Sequence, residues 1–379
     1  VAADAASRAD MQGGGHRLHR GQGLLDERDA VLPLRRGADR RKGAAVEAAA
    51  PDREREGQTD KTEKRAYMKK VRIYIDGQSG TTGLEIYERI GMRDDLELLR
   101  IDEDKRHDRE ERRRFLNAAD LVFLCLPDAG AEEAVSLIDN PDVRVIDAST
   151  AHRTAEGWDY GFPELSKEQR ARIASSRRVA NPGCHATGFI STAAPLVRMG
   201  ILPQDAPVTC FSLTGYSGGG KKMIAAYEAE RRAPELSAPG LYGLTLRHKH
   251  LPEMMKLSGL RHAPVFLPVV DDYYRGMATT VMLQNRMLNG QPTAEEICGK
   301  LSGYYRDEHF VSVLPFGSQG GTLYADRLAG TNRLEIAVCG NEEQTTVTAL
   351  FDNLGKGASG AAVQNMNIML GLPETTGLE

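Results

Sequence analysis

The sequence predicts an α/β protein whose first folded part is a doubly wound parallel sheet. Three observations predict it. A β-branched run at residues 71–75 breaks at Gly77, and helix-forming residues resume at Leu84. Three further strand-like runs follow, at residues 96–101, 121–126 and 143–146. Helical text separates them, notably at residues 109–119 and 131–138. Strands alternating with helices build parallel sheets with right-handed crossovers.

Residues 1–67 stand apart from that pattern. They contain no Phe, Ile, Trp or Cys and carry 12 Asp and Glu. Such a stretch cannot bury enough apolar surface to offset the entropy of ordering it. Its acids argue against a transit peptide, and it lacks the apolar centre of a secretory signal. Val stands first, and Met68 comes just before the first strand-like run. Met68 is therefore expected to be the natural start, with residues 1–67 a disordered or non-native extension.

The text VRIYIDGQSGTTGLEIYERI from Val71 sets Gly77, Gly80 and Gly83 between strand and helix. Free N–H groups at such a helix start suit a phosphate. The spacing is GxxGxxG rather than GxGxxG, and taken alone a structural turn explains it nearly as well. The uninterrupted apolar run LVFLCL at residues 121–126 reads as a strand buried on both faces, with Cys125 inert in the core. Gly77, Pro127 and Asp147 fall at the carboxyl ends of strands, where ligands gather in this fold. After the second strand, Arg100 precedes Asp102, with Lys105 and Arg106 close behind. An acid there favours a free ribose and a base a 2′-phosphate, so both signals are present. The bland reading of residues 102–114 is a solvated, charge-laced helix.

At Asn181 the text reads NPGCHAT, a sharp turn that delivers Cys184 to the start of a helix over residues 186–197. A thiol there is expected to be acidified by the helix dipole and free N–H groups. A small buried residue is the alternative. The other cysteines, Cys125, Cys210, Cys298 and Cys339, are scattered without CxxC or zinc-ligand spacing. Five thiols in a chain of 379 residues argue for reduced cysteines and a cytoplasmic protein, with no metal expected. A formal net charge of −4 gives no basic field for nucleic acid. No run of about 18 apolar residues crosses a membrane.

Taken together, the motifs resemble the N-acetyl-gamma-glutamyl-phosphate reductase family of arginine biosynthesis, in its short (type 2) branch. The resemblance runs from Met68 onward. It is carried by GQSGTTG at Gly77, IDASTAHR at Ile146, YGFPEL at Tyr160 and NPGCHAT at Asn181, then TGYSGGGK at Thr214, RHKHLPE at Arg247 and KGASGAAVQNMN at Lys356. The resemblance implies a glyceraldehyde-3-phosphate or aspartate-semialdehyde dehydrogenase type of fold. An NADP-binding domain at residues 68–183 would be completed by the C-terminal helix, about 351–379. An α+β catalytic domain would occupy residues 184–350. It further implies Cys184 as nucleophile, NADPH as hydride donor, N-acetyl-L-glutamyl 5-phosphate as substrate and a homo-oligomer.

The residues fit that chemistry. Thiolate attack on an acyl phosphate releases phosphate and leaves a thioester, which accepts hydride more readily than a carboxylate. A histidine near neutral pKa suits the proton transfers. His248 and His250 are the candidates and stay undecided between them, because residues two apart are not expected to point the same way. The adjacent His185 could help Cys184, although neighbours along a helix do not face each other, and His107, His152 and His262 read as ordinary residues. Gly77, Ser79, Gly80, Thr81, Thr82 and Gly83 would hold the cofactor, and Asn365 would reach its nicotinamide amide or else face the core. Ser217, Gly218 and Lys221, in an N–H-rich turn, are candidates for the substrate's anionic groups, as is Arg153. Glu253 would contact substrate, orient a histidine or cap a helix begun at Pro252. The competing readings are a reductase of aspartyl or aminoadipyl phosphate and a non-catalytic dinucleotide-binding regulator.

Overall fold

The computed structural model describes residues 70–379, so the expectation for residues 1–67 lies outside the described residues. Two sheets organise the chain. The first has strand order β2-β1-β3-β4-β6-β5, formed by Val71–Asp76 (β1), Leu96–Leu99 (β2), Leu121–Leu124 (β3), Arg144–Asp147 (β4), Asp159–Tyr160 (β5) and Arg178–Ala180 (β6). Every pairing in it is parallel. Because β1 lies between β2 and β3, the chain leaves it in opposite directions, and a crevice opens at the β1/β3 carboxyl ends.

Alternation along each strand explains the packing. Ile73, Ile75, Leu121, Phe123 and Ile146 point to one face and meet Ile86 and Ile90 of helix α1 (Thr81–Ile90). Tyr74, Val122, Leu124 and Val145 point to the other. They meet Leu116 of α2 (Arg109–Ala118) and Ala131 and Ala134 of α3 (Asp128–Ser136). All four residues of β3 are buried, as its unbroken apolar text predicts. The segment expected as one charged helix is broken. A single 3₁₀ turn at Glu103–Lys105 precedes α2, which starts where the Asp108 carboxylate accepts the Glu111 N–H at 2.8 Å. Lys167–Ser175 (α4) lies between β5 and β6.

The second sheet is mixed, in order β11-β12-β13-β10-β7-β9-β8. Its strands are Thr209–Gly215 (β7), Gly240–Leu241 (β8), Val265–Asp271 (β9), Met277–Gln284 (β10), Val311–Val313 (β11), Leu334–Gly340 (β12) and Gln344–Phe351 (β13). One face buries α5 (Cys184–Arg198) and α8 (Ala294–Tyr304), with Phe189, Ile190, Ala193 and Ile297 against Val281, Val347 and Phe351. Helix α5 is buried from His185 to Leu196, so the residue at its head is fixed by a helix with nowhere to move. Gly220–Tyr227 (α6) follows β7, and Leu251–Ser258 (α7) packs on α5, with Leu251 and Met254 in the same core.

The chain then turns back. A π-turn at Gly355–Ser359 leads into Gly360–Leu370 (α9), whose Ala362, Val363, Met366 and Met369 pack into the core of the first sheet. A fully buried ion pair holds that turn: the Lys356 ammonium donates to Glu164 Oε1 at 2.7 Å and to Gln364 Oε1 at 2.5 Å. Among the described residues, no helix is long and apolar enough to cross a membrane.

Candidate active site

Cys184 is the first residue of α5, and Gly183 caps it with extended backbone. The turn before it is gripped from below. Arg153 Nε donates to the Asn181 carbonyl at 3.0 Å, and Arg153 Nη1 donates to Glu253 Oε1 at 2.6 Å. Glu253 Oε2 accepts the Tyr160 hydroxyl at 2.7 Å and the Gly183 N–H at 3.2 Å. A side chain at Gly183 would collide with Arg153 Nη1, His250 Nε2 at 2.6 Å and Glu253 Oε1 at 2.7 Å. Glycine is required there because three functional side chains converge on one α-carbon.

Above the turn opens a cavity of about 380 Å³, lined by Cys184, Arg153, His185, His248, Lys249 and His250. Thr81 and Thr82, the glycines of residues 218–220, Tyr242, Asn353 and Gly357 complete its wall. His248 and His250 both reach it, with ring centroids 4.7 Å apart. This corrects the expectation that they diverge. They lie at the entry to α7, where His250 is the capping residue and the backbone follows neither strand nor regular helix. The His250 N–H donates to His248 Nδ1 at 3.2 Å, so neutral His248 carries its proton on Nε2. His250 Nδ1 is buried without a protein partner.

The electrostatics correct a second expectation. Burial pushes the Cys184 thiol above its ordinary value, against the downward pull of the His185 backbone N–H and the Arg153 and Lys249 charges. Burial also lowers the histidines: His248 to about 4, with help from Lys249 and Arg153, and His250 well below its ordinary value. The resting cavity therefore holds neutral thiol beside neutral imidazoles, with Arg153 and Lys249 as its cations.

Other expected site residues are placed elsewhere. Asn365 is fully buried and donates to the Gly161 carbonyl at 2.8 Å and to Asn181 Oδ1 at 3.2 Å, the core-facing alternative. Glu253 lies under the turn, both oxygens engaged, rather than in the cavity. The Lys221 side chain is exposed and outside the lining, because the helix begun at Gly220 turns it outward. Ser217 and Gly218 do line the cavity, and the Ser217 hydroxyl accepts the Asn353 amide at 2.9 Å. Asp147 is spent on its own turn, accepting Ser149 at 2.7 Å and bonding His152 at 2.6 Å. Sequence reasoning passed over Tyr242 and Asn353, and quoted Gly357 only within KGASGAAVQNMN. It quoted Lys249 only as the middle of RHKHLPE, where the flanking histidines marked the spot.

A second groove adjoins the first. It is lined by Gly77, Gln78, Ser79 and Gly80, by Leu126 and Pro127 after β3, and by Arg106, His107 and Arg112. Gly77 has φ +85°, and a Cβ on it would strike the Cys125 carbonyl oxygen. A Cβ on Gly83 would lie 2.6 Å from the Gly77 carbonyl oxygen. The turn thus brings bare backbone and the first N–H groups of α1 to the crevice, a cradle that fits a dinucleotide pyrophosphate. It meets the catalytic cavity at Gly80–Thr81. Cys125 and His107, expected to be a core thiol and an ordinary histidine, both line this groove. Arg100 and Asp102 do not: Arg100 donates to the Tyr87 hydroxyl and covers its ring.

Residues 63–173 match the family model described as semialdehyde dehydrogenase, NAD binding domain, and residues 184–353 match semialdehyde dehydrogenase, dimerisation domain. A protein of Nostoc sp. called N-acetyl-gamma-glutamyl-phosphate reductase 2 is 47% identical over 322 residues, 82% of this chain and 100% of the relative. One of the same name from Pseudomonas putida is 47% identical over 311 residues, 80% of this chain and 98% of its own. Among solved structures, an aspartate semialdehyde dehydrogenase from Francisella tularensis superposes with a TM-score of 0.61 at 14% identity, over 79% of this chain and 100% of that one. One from Vibrio cholerae gives 0.60 at 16% identity, over 80% and 99%. At such identities the likeness is one of fold.

Proposed function

Since the chain belongs to the N-acetyl-gamma-glutamyl-phosphate reductase family, we propose that it reduces N-acetyl-L-glutamyl 5-phosphate to N-acetyl-L-glutamate 5-semialdehyde through a thioester on Cys184. The observation that carries this is the placement of Cys184 at the head of a buried helix, in a cavity with three histidines and two cations, beside a dinucleotide groove.

His250 is assigned the acid–base role, because its Nε2 approaches the Gly183–Cys184 turn while His248 is tied to the His250 backbone. It accepts the Cys184 proton as sulfur attacks the acyl carbon, and phosphate departs with the electrons of the broken C–O bond. Arg153, Lys249 and the N–H groups of residues 218–220 meet the substrate's anionic ends, with Ser217 fixed beside them. The first-sheet unit serves the cofactor and the second-sheet unit the acyl chemistry. A nicotinamide cofactor in the adjoining groove would supply hydride to the thioester carbonyl. His250 gives the proton it holds to the oxygen of the resulting thiohemiacetal, takes it back as the C–S bond breaks, and returns it to the Cys184 sulfur as the aldehyde leaves.

NADPH is the cofactor proposed over NADH, because Arg106, His107 and Arg112 line the groove near the end of β2, where a 2′-phosphate needs cations. A homo-oligomer is proposed on the match to a dimerisation domain.

The reaction is testable in reverse. Purified protein should reduce NADP⁺ with N-acetyl-L-glutamate 5-semialdehyde only when phosphate is present, more efficiently than NAD⁺. Cys184→Ser should abolish the rate. Mass spectrometry of enzyme mixed with acyl phosphate, without reductant, should find the acyl group on Cys184. A fully active Cys184→Ser protein would end the covalent account.

A further inference from the structure

The cavity has one wall that is weakly held. Residues 238–249 run from the sheet edge to the entry of α7 and carry Tyr242, His248 and Lys249 into the lining. The segment's strand pairing with the second sheet is β8, two residues long, which pairs Gly240 with Val270 and Leu241 with Val269. One further backbone bond follows, from the Tyr242 N–H to the Pro268 carbonyl at 3.1 Å. Its leucines add little burial: Leu241, Leu244 and Leu246 are 54%, 72% and 51% exposed. Leu246 also sits at φ +56°, a backbone region that costs a branched side chain energy rather than supplying any.

Against that weakness stands one side-chain fastening. Among the described residues from 238 to 247, the side-chain hydrogen bond to the body of the protein is that of Tyr242, whose hydroxyl lies 2.6 Å from His185 Nε2. His185 is the residue after the nucleophile, in the first turn of the buried helix α5. Its other nitrogen, Nδ1, lies 2.8 Å from the Ser212 hydroxyl, and Ser212 lies 2.7 Å from the Thr279 hydroxyl. The imidazole is thus pinned from behind by the sheet and offers its front nitrogen to the wall. Its ring also meets His248 edge-on, at 5.5 Å between centroids.

We propose that Tyr242 and His185 are positioning residues, whose hydrogen bond fastens residues 238–249 to the nucleophile-bearing helix and so fixes the acyl-substrate side of the cavity. The inference rests on the reductase reading for its kinetic consequence alone. The chain Thr279–Ser212–His185–Tyr242 transmits the rigidity of the sheet to a loop that would otherwise move independently. A hydrogen-bonding side chain next to the catalytic cysteine then has a purpose unconnected with activating the thiol.

Tyr242→Phe removes one hydroxyl and leaves the ring. In ligand-free protein, amide hydrogen exchange over residues 240–249 should quicken about two- to tenfold, the worth of one hydrogen bond. The KM for N-acetyl-L-glutamate 5-semialdehyde should rise by a similar factor, with the KM for the nicotinamide cofactor unchanged. Ser212→Ala, which frees the imidazole from behind, should reproduce both effects more weakly. Unchanged exchange in both variants overturns the fastening. A parallel rise in both KM values, the mark of general loosening, overturns the positioning role. Because exchange is read without substrate, these outcomes are separate from the fate of Cys184→Ser, which tests the reaction itself.

Discussion

A cysteine at a helix start with three histidines nearby invites the reading of a preformed thiolate–imidazolium pair. The magnitudes decide otherwise. A helix terminus favours a charge by about 0.3–1 kcal/mol, whereas desolvation moves a fully buried group by up to about 3–5 pKa units. Both members shift toward neutrality, the thiol up and the imidazoles down. The proton transfer therefore belongs to the step of attack rather than to the resting protein. Three neutral histidines, His185 and His250 buried and His248 half-buried, also tie stability to pH. Burial, with His248 and Lys249 adding to it, lowers His185 from 6.5 to about 3. Between those values the unfolded chain binds a proton that the folded chain refuses, so stability falls as pH drops below 6.5. Integrated to pH 5, this one residue costs about 2 kcal/mol. The thermal midpoint should fall between pH 7 and pH 5, and His185→Gln should remove one proton from that dependence. A His185→Gln slope equal to wild type would show that His185 is not held neutral.

At the scale of elements, the strand–turn–helix opening was legible because its signal is local. Val71, Ile73 and Ile75 alternate, Gly77 needs positive φ, and α1 follows within a few residues. The same locality yields a prediction. Gly77→Ala forces a methyl into the Cys125 carbonyl oxygen, whereas on Gly80, at φ −71°, a methyl meets the Gly77 carbonyl at 3.3 Å, a contact a small shift relieves. Gly77→Ala should raise the KM for the cofactor about fivefold or more, on the roughly 1 kcal/mol or more that such a backbone costs. Gly80→Ala should change it little; equal effects would remove the steric argument. What stayed illegible was set at long range. The π-turn before α9 depends on Lys356 finding Glu164 and on Gly357 resting against Cys184, pairings that no window of sequence contains. Glu253 and Asn365 were placed in the site for their chemistry and their motif. The structure engages them with Arg153 and with Gly161, residues far off in the chain that had already taken their hydrogen bonds.

At the scale of the whole molecule, among the described residues one sheet face lacks the chemistry of a surface. The face of the second sheet turned away from α5 presents Val265, Leu267, Thr209, Phe211, Thr280 and Met282 on adjoining strands, at positions paired in register. None is charged; Val265 is 56% exposed and Met282 43%. Toward its upper end Leu213, Ala278 and Leu350 are covered by Leu323, Ala325 and Leu328, but the lower rows stay open. An antiparallel sheet with one face in water normally carries polar or charged side chains on that face. From this departure, within the stretch matching a dimerisation domain, we predict that this sheet face is the interface of the proposed homo-oligomer. Two copies related by a two-fold axis would lay the same rows against each other, so one substitution acts twice. Thr280→Glu would bring two carboxylates into the middle of that contact, a cost of several kcal/mol per buried unpaired ion. Analytical ultracentrifugation should find wild type as an assembly and Thr280→Glu as the 41.5 kDa chain, with its circular dichroism intact. An assembly that survives Thr280→Glu unchanged would place the interface on some other face and leave this apolar band without a partner.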